Sequence, residues 1–127
     1  MRLALDSNRY TDFARGLPEV LNRLRRAERI FLPFVVLAEL RAGFRCGSRH
    51  ERNESRLTAF LNTPRVVALF PDEDTTHHYA RLFMQLRKQG TPIPTNDLWI
   101  AALVVQHDLV LFARDKHFDC LGQLARI

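Results

Sequence analysis

A chain of 127 residues, 46% apolar and 26% charged, has the proportions of an ordinary soluble globular protein with room for a real core. No apolar run reaches membrane-spanning length, and Met1-Arg2-Leu3-Ala4-Leu5-Asp6 meets an acid too early for a signal-peptide core. The net charge of +5 is unevenly placed: residues 1–64 hold 12 arginines and 7 acids (12 − 7 = +5), while residues 65–127 balance 5 arginines and 2 lysines against 7 acids. A basic first half suits a polyanionic partner, nucleic acid before membrane, and equally suits a merely soluble basic surface. Cys46 and Cys120 lie far apart without CxxC spacing. A single disulfide stays open, and a reduced cytoplasmic chain is the simpler expectation.

In chain order, Arg2 to Leu5 reads as a first strand ending at Asp6, with Ser7-Asn8 as caps of a short helix ending near Gly16. Pro18 suits the first turn of a second helix, whose apolar face is Val20, Leu21 and Leu24. Its arginines, Arg23, Arg25, Arg26 and Arg29, gather towards a C-terminus that favours cations. Ile30 to Leu32 is a second strand, stopped by Pro33. Phe34 to Leu40 then reads as an apolar helix in which Glu39 is the only charge. Arginines recur at Arg41, Arg45, Arg49, Arg52 and Arg56; with helix on both sides of a break at Gly43–Gly47, they would form one stripe. Glu51 and Glu54 lie near it, so a solvated face explains it equally well.

Arg65 to Phe70 contains a third strand, and Asp72-Glu73-Asp74 opens a long helix ended by Gly90. The spacing of Tyr79, Leu82, Phe83 and Leu86 predicts a core-facing stripe. Pro92 and Pro94 stiffen a loop into Thr95-Asn96-Asp97, where Thr95 or Asn96 would cap a helix that is apolar on every side. Leu109 to Ala113 is a fourth strand, followed by Arg114-Asp115, and Leu121 to Ile127 can add an edge strand. Strands alternating with helices, without hairpin signals, repeats or linkers, predict one compact α/β domain over residues 1–127, with a parallel sheet.

In an open parallel sheet, sites form beyond the carboxyl ends of the strands. Asp6 and Asp115 follow the first and fourth strands; Glu39 and Asp97 sit on helices that could return them to that edge. Converged carboxylates repel, and burial raises their pKa values further. A divalent cation relieves both costs, and all-oxygen ligands suit Mg²⁺ or Mn²⁺ rather than Zn²⁺. Such an ion can activate water for phosphodiester hydrolysis. Taken singly, Asp6 could cap a helix, Asp97 could serve the helix dipole and Asp115 could begin a turn. Glu39 on an apolar helix costs several kcal/mol in order of magnitude if unpaired, unless an arginine partners it.

The segments Leu5-Asp6-Ser7-Asn8, Ala38-Glu39-Leu40-x-x-Gly43, Asn96-Asp97-Leu98-Trp99-Ile100-Ala101-Ala102 and Arg114-Asp115-x-x-Phe118 each say little alone. In this order and length, they make the chain resemble a PIN-domain ribonuclease, most of all a VapC-type toxin of a bacterial toxin–antitoxin pair. The resemblance spans essentially the whole chain. It implies a PIN-like three-layer α/β/α sandwich around a mainly parallel sheet of four to five strands. It also implies a Mg²⁺- or Mn²⁺-dependent endoribonuclease and a homodimer blocked by a cognate antitoxin. Asp6, Glu39, Asp97 and Asp115 match the family's acidic metal-binding and catalytic positions. Ser7 matches the hydroxyl residue after the first acid, and Asn8 the polar residue after that; Arg41 and Arg45 open the stripe that would guide RNA. Ala113 departs from the Thr or Ser often found two residues before the last acid.

Among other candidates, His77 and His78 are adjacent and point apart, while His50, His107 and His117 lack a partner at ligand spacing. His117 stands out for lying two residues from Asp115, and Asp119 is a second acid with a peripheral spacing. Trp99 reads as core or rim before base-stacking platform. No GxGxxG, P-loop or GxSxG motif occurs. Asp6-Ser7-Asn8 has Asn8 where a haloacid-dehalogenase-like phosphatase needs a second Asp. The rivals to a nuclease are therefore a non-catalytic RNA-binding module and, behind it, a metal-dependent phosphatase.

Overall fold

The computed structural model describes residues 1–127. Short, mostly apolar runs become strands β1 (Arg2–Leu5), β2 (Arg29–Pro33), β3 (Val66–Leu69) and β4 (Val110–Phe112), with a two-residue β5 (Ala125–Arg126). They form one sheet of order β3-β2-β1-β4-β5, and every adjacent pair is parallel. The register sets Leu3 opposite Ile30 and Leu5 opposite Phe112, so β1 is central and buried on both sides. Pro33 closes β2 beside Leu69, where its missing N–H costs least.

The helices are α1 (Ser7–Ala14), α2 (Pro18–Arg26), α3 (Phe34–Cys46), α4 (His50–Leu61), α5 (Glu73–Gln89) and α6 (Thr95–Gln106). From β1 the chain steps outward to β2 and then β3, then returns across the sheet to β4. With right-handed crossovers, this reversal puts α1–α4 on one face and α5–α6 on the other. The result is a three-layer α/β/α sandwich. Its 33-residue core includes α6 on all sides, from Leu98 to Val104, which explains the helix that lacks a polar face.

Several local expectations change. The cap of α1 is Asp6 itself, whose carboxylate accepts from Arg9 N; Ser7 and Asn8 are already helical. Helix α6 starts one residue early, with Pro94 in the cap position and no side-chain capping bond, so neither Thr95 nor Asn96 caps it. Helix α3 runs through Gly43 to Cys46 before the chain breaks at Gly47. The two helices then fold back on each other, since Arg41 of α3 reaches Glu54 of α4. The five arginines therefore do not share one stripe. On α5, Leu82 and Leu86 face the core, but Phe83 is 51% exposed and leaves the expected apolar face. Helix α5 ends at Gly90 as expected, at φ 72°, and its start adds a reciprocal capping box of Asp72 and Thr75 beyond the acidic first turn that the sequence suggests. Both cysteines are free. No helix is long and apolar enough to cross a membrane.

Candidate functional site

The strand order reverses between β1 and β4, and the crevice past the carboxyl ends of those two strands is where an open α/β sheet binds ligands. Asp6 lies one residue past β1. It is 5% exposed, and one carboxylate oxygen accepts from Arg9 N at 2.8 Å. Burial is the main cause that pushes its pKa up to about 6; the Arg9 hydrogen bond and the charges of Arg9 and Arg114 oppose the shift, and nearby Asp115 adds to it. A carboxylate that caps a helix normally titrates low. Here desolvation outweighs the cap.

From the other side of the crevice comes Asp97, in the first turn of α6 and anchored by the buried run behind it. Its pKa is also raised, first by burial, with Asp115 contributing and His117 opposing. Asp115 follows β4 and caps the 3₁₀ turn Lys116–Cys120, accepting from His117 N at 2.9 Å. That turn swings the His117 ring inward: Nδ1 lies 2.8 Å from an Asp97 oxygen and 3.1 Å from an Asp115 oxygen. With its proton on Nδ1 the ring donates to these carboxylates, and with its proton on Nε2 the same nitrogen is free to ligate a cation. The ligand atoms of Asp97, Asp115 and His117 all lie within 4.8 Å of one another, close enough to hold one cation.

Glu39 is exposed on α3, not buried in an apolar helix, so the desolvation cost expected for it does not arise. It lies outside the cluster of Asp97, Asp115 and His117 and makes its side-chain contact with Ser7, whose Oγ donates to its carboxylate at 3.4 Å. Asn8, next along α1, is exposed. Arg41 is held by the bidentate contact with Glu54, and Arg45 is exposed. Asp119 forms an ion pair with Arg126 outside the cluster. Trp99 packs on Phe34 and on Tyr79, at ring-centroid distances of 6.1 and 4.4 Å, and so belongs to the rim of the core. Ala113 is buried and part of the core.

Sequence reasoning passed over Asp12. It is 4% exposed and takes Arg9 at 3.3 Å and Arg114 at 3.1 Å, residues that flank the site on α1 and just after β4. Through Arg9 it steadies the loop that holds Asp6; through Arg114 it steadies the neighbour of Asp115. The only signal in the sequence was the Arg9–Asp12 spacing of i,i+3, which also fits an ordinary surface pair.

The donor set fits a divalent cation. Two of the carboxylates, Asp6 and Asp97, are disfavoured as anions by burial and by Asp115, a cost that a cation would remove. Oxygen donors dominate and suit Mg²⁺ or Mn²⁺. His117 adds one nitrogen, which widens the choice towards Mn²⁺ and other transition metals.

Comparison with known proteins finds relatives over nearly the whole chain. The PIN-domain family model matches residues 4–123. Ribonuclease VapC1 of Haemophilus influenzae strain R2866 is 32% identical over 125 residues, covering 94% of this chain and 92% of that protein. The structure of VapBC-1 from nontypeable Haemophilus influenzae superposes with a TM-score of 0.88 at 28% identity, over 100% of this chain and 97% of the other. VapBC-5 of Mycobacterium tuberculosis, described as a member of the VapBC family of toxin–antitoxin systems, superposes with a TM-score of 0.72 at 28% identity, over 99% and 95%.

Proposed function

The chain belongs to the PIN-domain family of VapC-type ribonucleases, and from that premise we propose that it is a metal-dependent endoribonuclease toxin restrained by a cognate antitoxin. The observation that carries this reading is the convergence of Asp97, Asp115 and His117 beside buried Asp6. Asp6, Asp97 and Asp115 would hold Mg²⁺ or Mn²⁺, with Glu39 completing the set across Ser7. Bound there, the ion supplies a polarised water and neutralises the charge that develops on a phosphodiester under attack.

The chain's own residues do the rest. Burial of Asp6 and the anchoring of Asp97 by α6 fix two carboxylates rigidly, so a site forms without reorganisation. His117 Nδ1, 2.8 Å from an Asp97 oxygen and 3.1 Å from an Asp115 oxygen, holds the two carboxylates on one side of the crevice. Ser7 and Asn8 stand at the mouth of the crevice, where a hydroxyl and an amide can orient an RNA phosphate; Arg41 and Arg45 would meet the backbone further out. Exposed Phe83 and Met84 on α5, at 51% and 53%, suit a homodimer face. The relatives that carry toxin–antitoxin names support an antitoxin partner.

The test is RNA cleavage by the wild type and by Asp97→Asn, with Mg²⁺ and with EDTA. Cleavage by the wild type with Mg²⁺ alone is expected. Cleavage that survives both the substitution and the chelator contradicts the metal-nuclease reading. Binding without cleavage points to a non-catalytic module, and phosphatase turnover without cleavage to the remaining rival.

A further inference from the structure

Folding α4 back on α3 breaks up the arginine stripe and gathers part of it elsewhere. Arg49, Arg52 and Arg56 of α4 and its cap line one concavity of about 340 Å³ together with Arg15, the residue that ends α1. Thr11 and Asn53 supply polar groups to the same wall, and no acid lines it. None of these four arginines makes an ion pair, whereas the acids nearby are already engaged: Asp12 holds Arg9 and Arg114, and Glu54 holds Arg41. Glu51, the remaining acid of α4, is exposed and does not line the cleft. Four guanidinium groups around one small cleft repel each other until an anion with several oxygens joins them. Phosphate groups answer that geometry best, because the guanidinium fork binds them bidentately.

Helix α1 connects this cleft to the acidic site. Asp6 caps its start and Arg15 ends it, nine residues on, which at 1.5 Å per residue is roughly 13 Å along the axis. A flexible polyanion lying along α1 could reach both. We propose that Arg15, Arg49, Arg52 and Arg56 form a phosphate-binding cleft that holds the single-stranded RNA backbone a few nucleotides from the acidic site. This rests on the reading of the chain as a ribonuclease and gives that site a second, remote anchor. An acidic protein segment is the competing occupant; four guanidinium groups with Thr11 and Asn53, against only Tyr10, Ala14 and Phe44 as apolar lining, favour the phosphate backbone.

The measurement is binding of a single-stranded 2′-O-methyl oligonucleotide, which resists cleavage, followed by fluorescence anisotropy in EDTA across a salt series. Three proteins are compared: wild type, the variant Arg15→Ala/Arg49→Ala/Arg52→Ala/Arg56→Ala, and the matching variant with all four changed to Lys. Each phosphate contact on a single strand contributes about 0.7 to the slope of log affinity against log salt. The alanine variant is expected to lose roughly 2–3 from that slope and at least about tenfold in affinity at ~0.1 M salt. The lysine variant is expected to keep most of the slope, since it keeps the charge. An unchanged slope in the alanine variant overturns the proposal, as does a lysine variant that falls as far as the alanine one. Capture of an oligo-glutamate peptide by the wild type but not the alanine variant, with the slope for the oligonucleotide unchanged, overturns it in favour of an acidic protein partner. Because no cleavage is read, a chain that binds in this way but cuts no RNA refutes the nuclease reading alone. A chain that cuts RNA with an unchanged slope refutes the cleft alone.

Discussion

Asp6 and Asp12 lie six residues apart at the two ends of α1, and both are buried, at 5% and 4% exposure. Asp12 has its countercharges inside the chain, since Arg9 and Arg114 both reach it. Asp6 accepts one backbone N–H and faces Asp115, and its pKa is pushed up to about 6. A buried acid whose partners come with the fold is a strut. One that the fold leaves without a full countercharge is an invitation to an external cation, and the same contrast separates stability from function along a single helix.

The sharpest way to break that contrast is to remove the charge at each end. Asp6→Asn keeps a capping side chain, so the helix should form, yet RNA cleavage with Mg²⁺ is expected to fall by roughly 10²-fold or more, read from initial rates on a labelled substrate. Asp12→Ala should act in the opposite register. It leaves Arg9 and Arg114 without their acid and is expected to lower stability by about 3 kcal/mol in urea unfolding, towards the low end for a buried pair because Arg114 is half-exposed.

The pH dependence sharpens the comparison further. A carboxyl whose folded pKa is raised contributes stability that is complete below its unfolded pKa, near 3.8, and is lost as pH rises through the folded value, about 6. Metal-free wild type should therefore lose up to about 3 kcal/mol between pH 4 and 7 relative to Asp6→Asn, in parallel urea titrations. A flat difference between the two proteins over that window would mean that Asp6 is compensated within the chain after all. The smallest effect is expected at His117, which touches Asp97 and Asp115 without being one of the acids. His117→Ala should weaken Mn²⁺ binding by about tenfold in calorimetric titration, in the range found for residues that orient metal ligands.

Much of this was legible in the sequence, because short-range physics governs it. The alternation of apolar runs with helical periods marks out β1 to β4 and the parallel sheet, and the ends of β1 and β4 place Asp6 and Asp115 at one edge. The acidic first turn of α5 and Gly90 at its end follow from local chemistry. What escaped depends on contacts distant in sequence. Arg114 meets Asp12 across 102 residues, and His117 meets Asp97 across 20, so no spacing rule exposes either. The apolar helix around Glu39 suggests a buried acid, but the side chain leaves on the solvent side. Gly43 and Gly47 suggest a break, yet the helix passes through Gly43, since one glycine costs only about 1 kcal/mol in a helix packed as α3 is. Phe83 fits the apolar period of α5 and still faces outward, because a period cannot say where the neighbouring layer ends.

Unfolding wild type and Asp6→Asn at pH 7, with and without saturating Mn²⁺, separates an Asp6 left charged for a cation from one compensated within the chain as Asp12 is. Asp6→Asn is expected to be the more stable protein without metal, and Mn²⁺ to raise the wild type by a few kcal/mol while moving Asp6→Asn much less. Equal stabilisation of both proteins by Mn²⁺, or of neither, would contradict it.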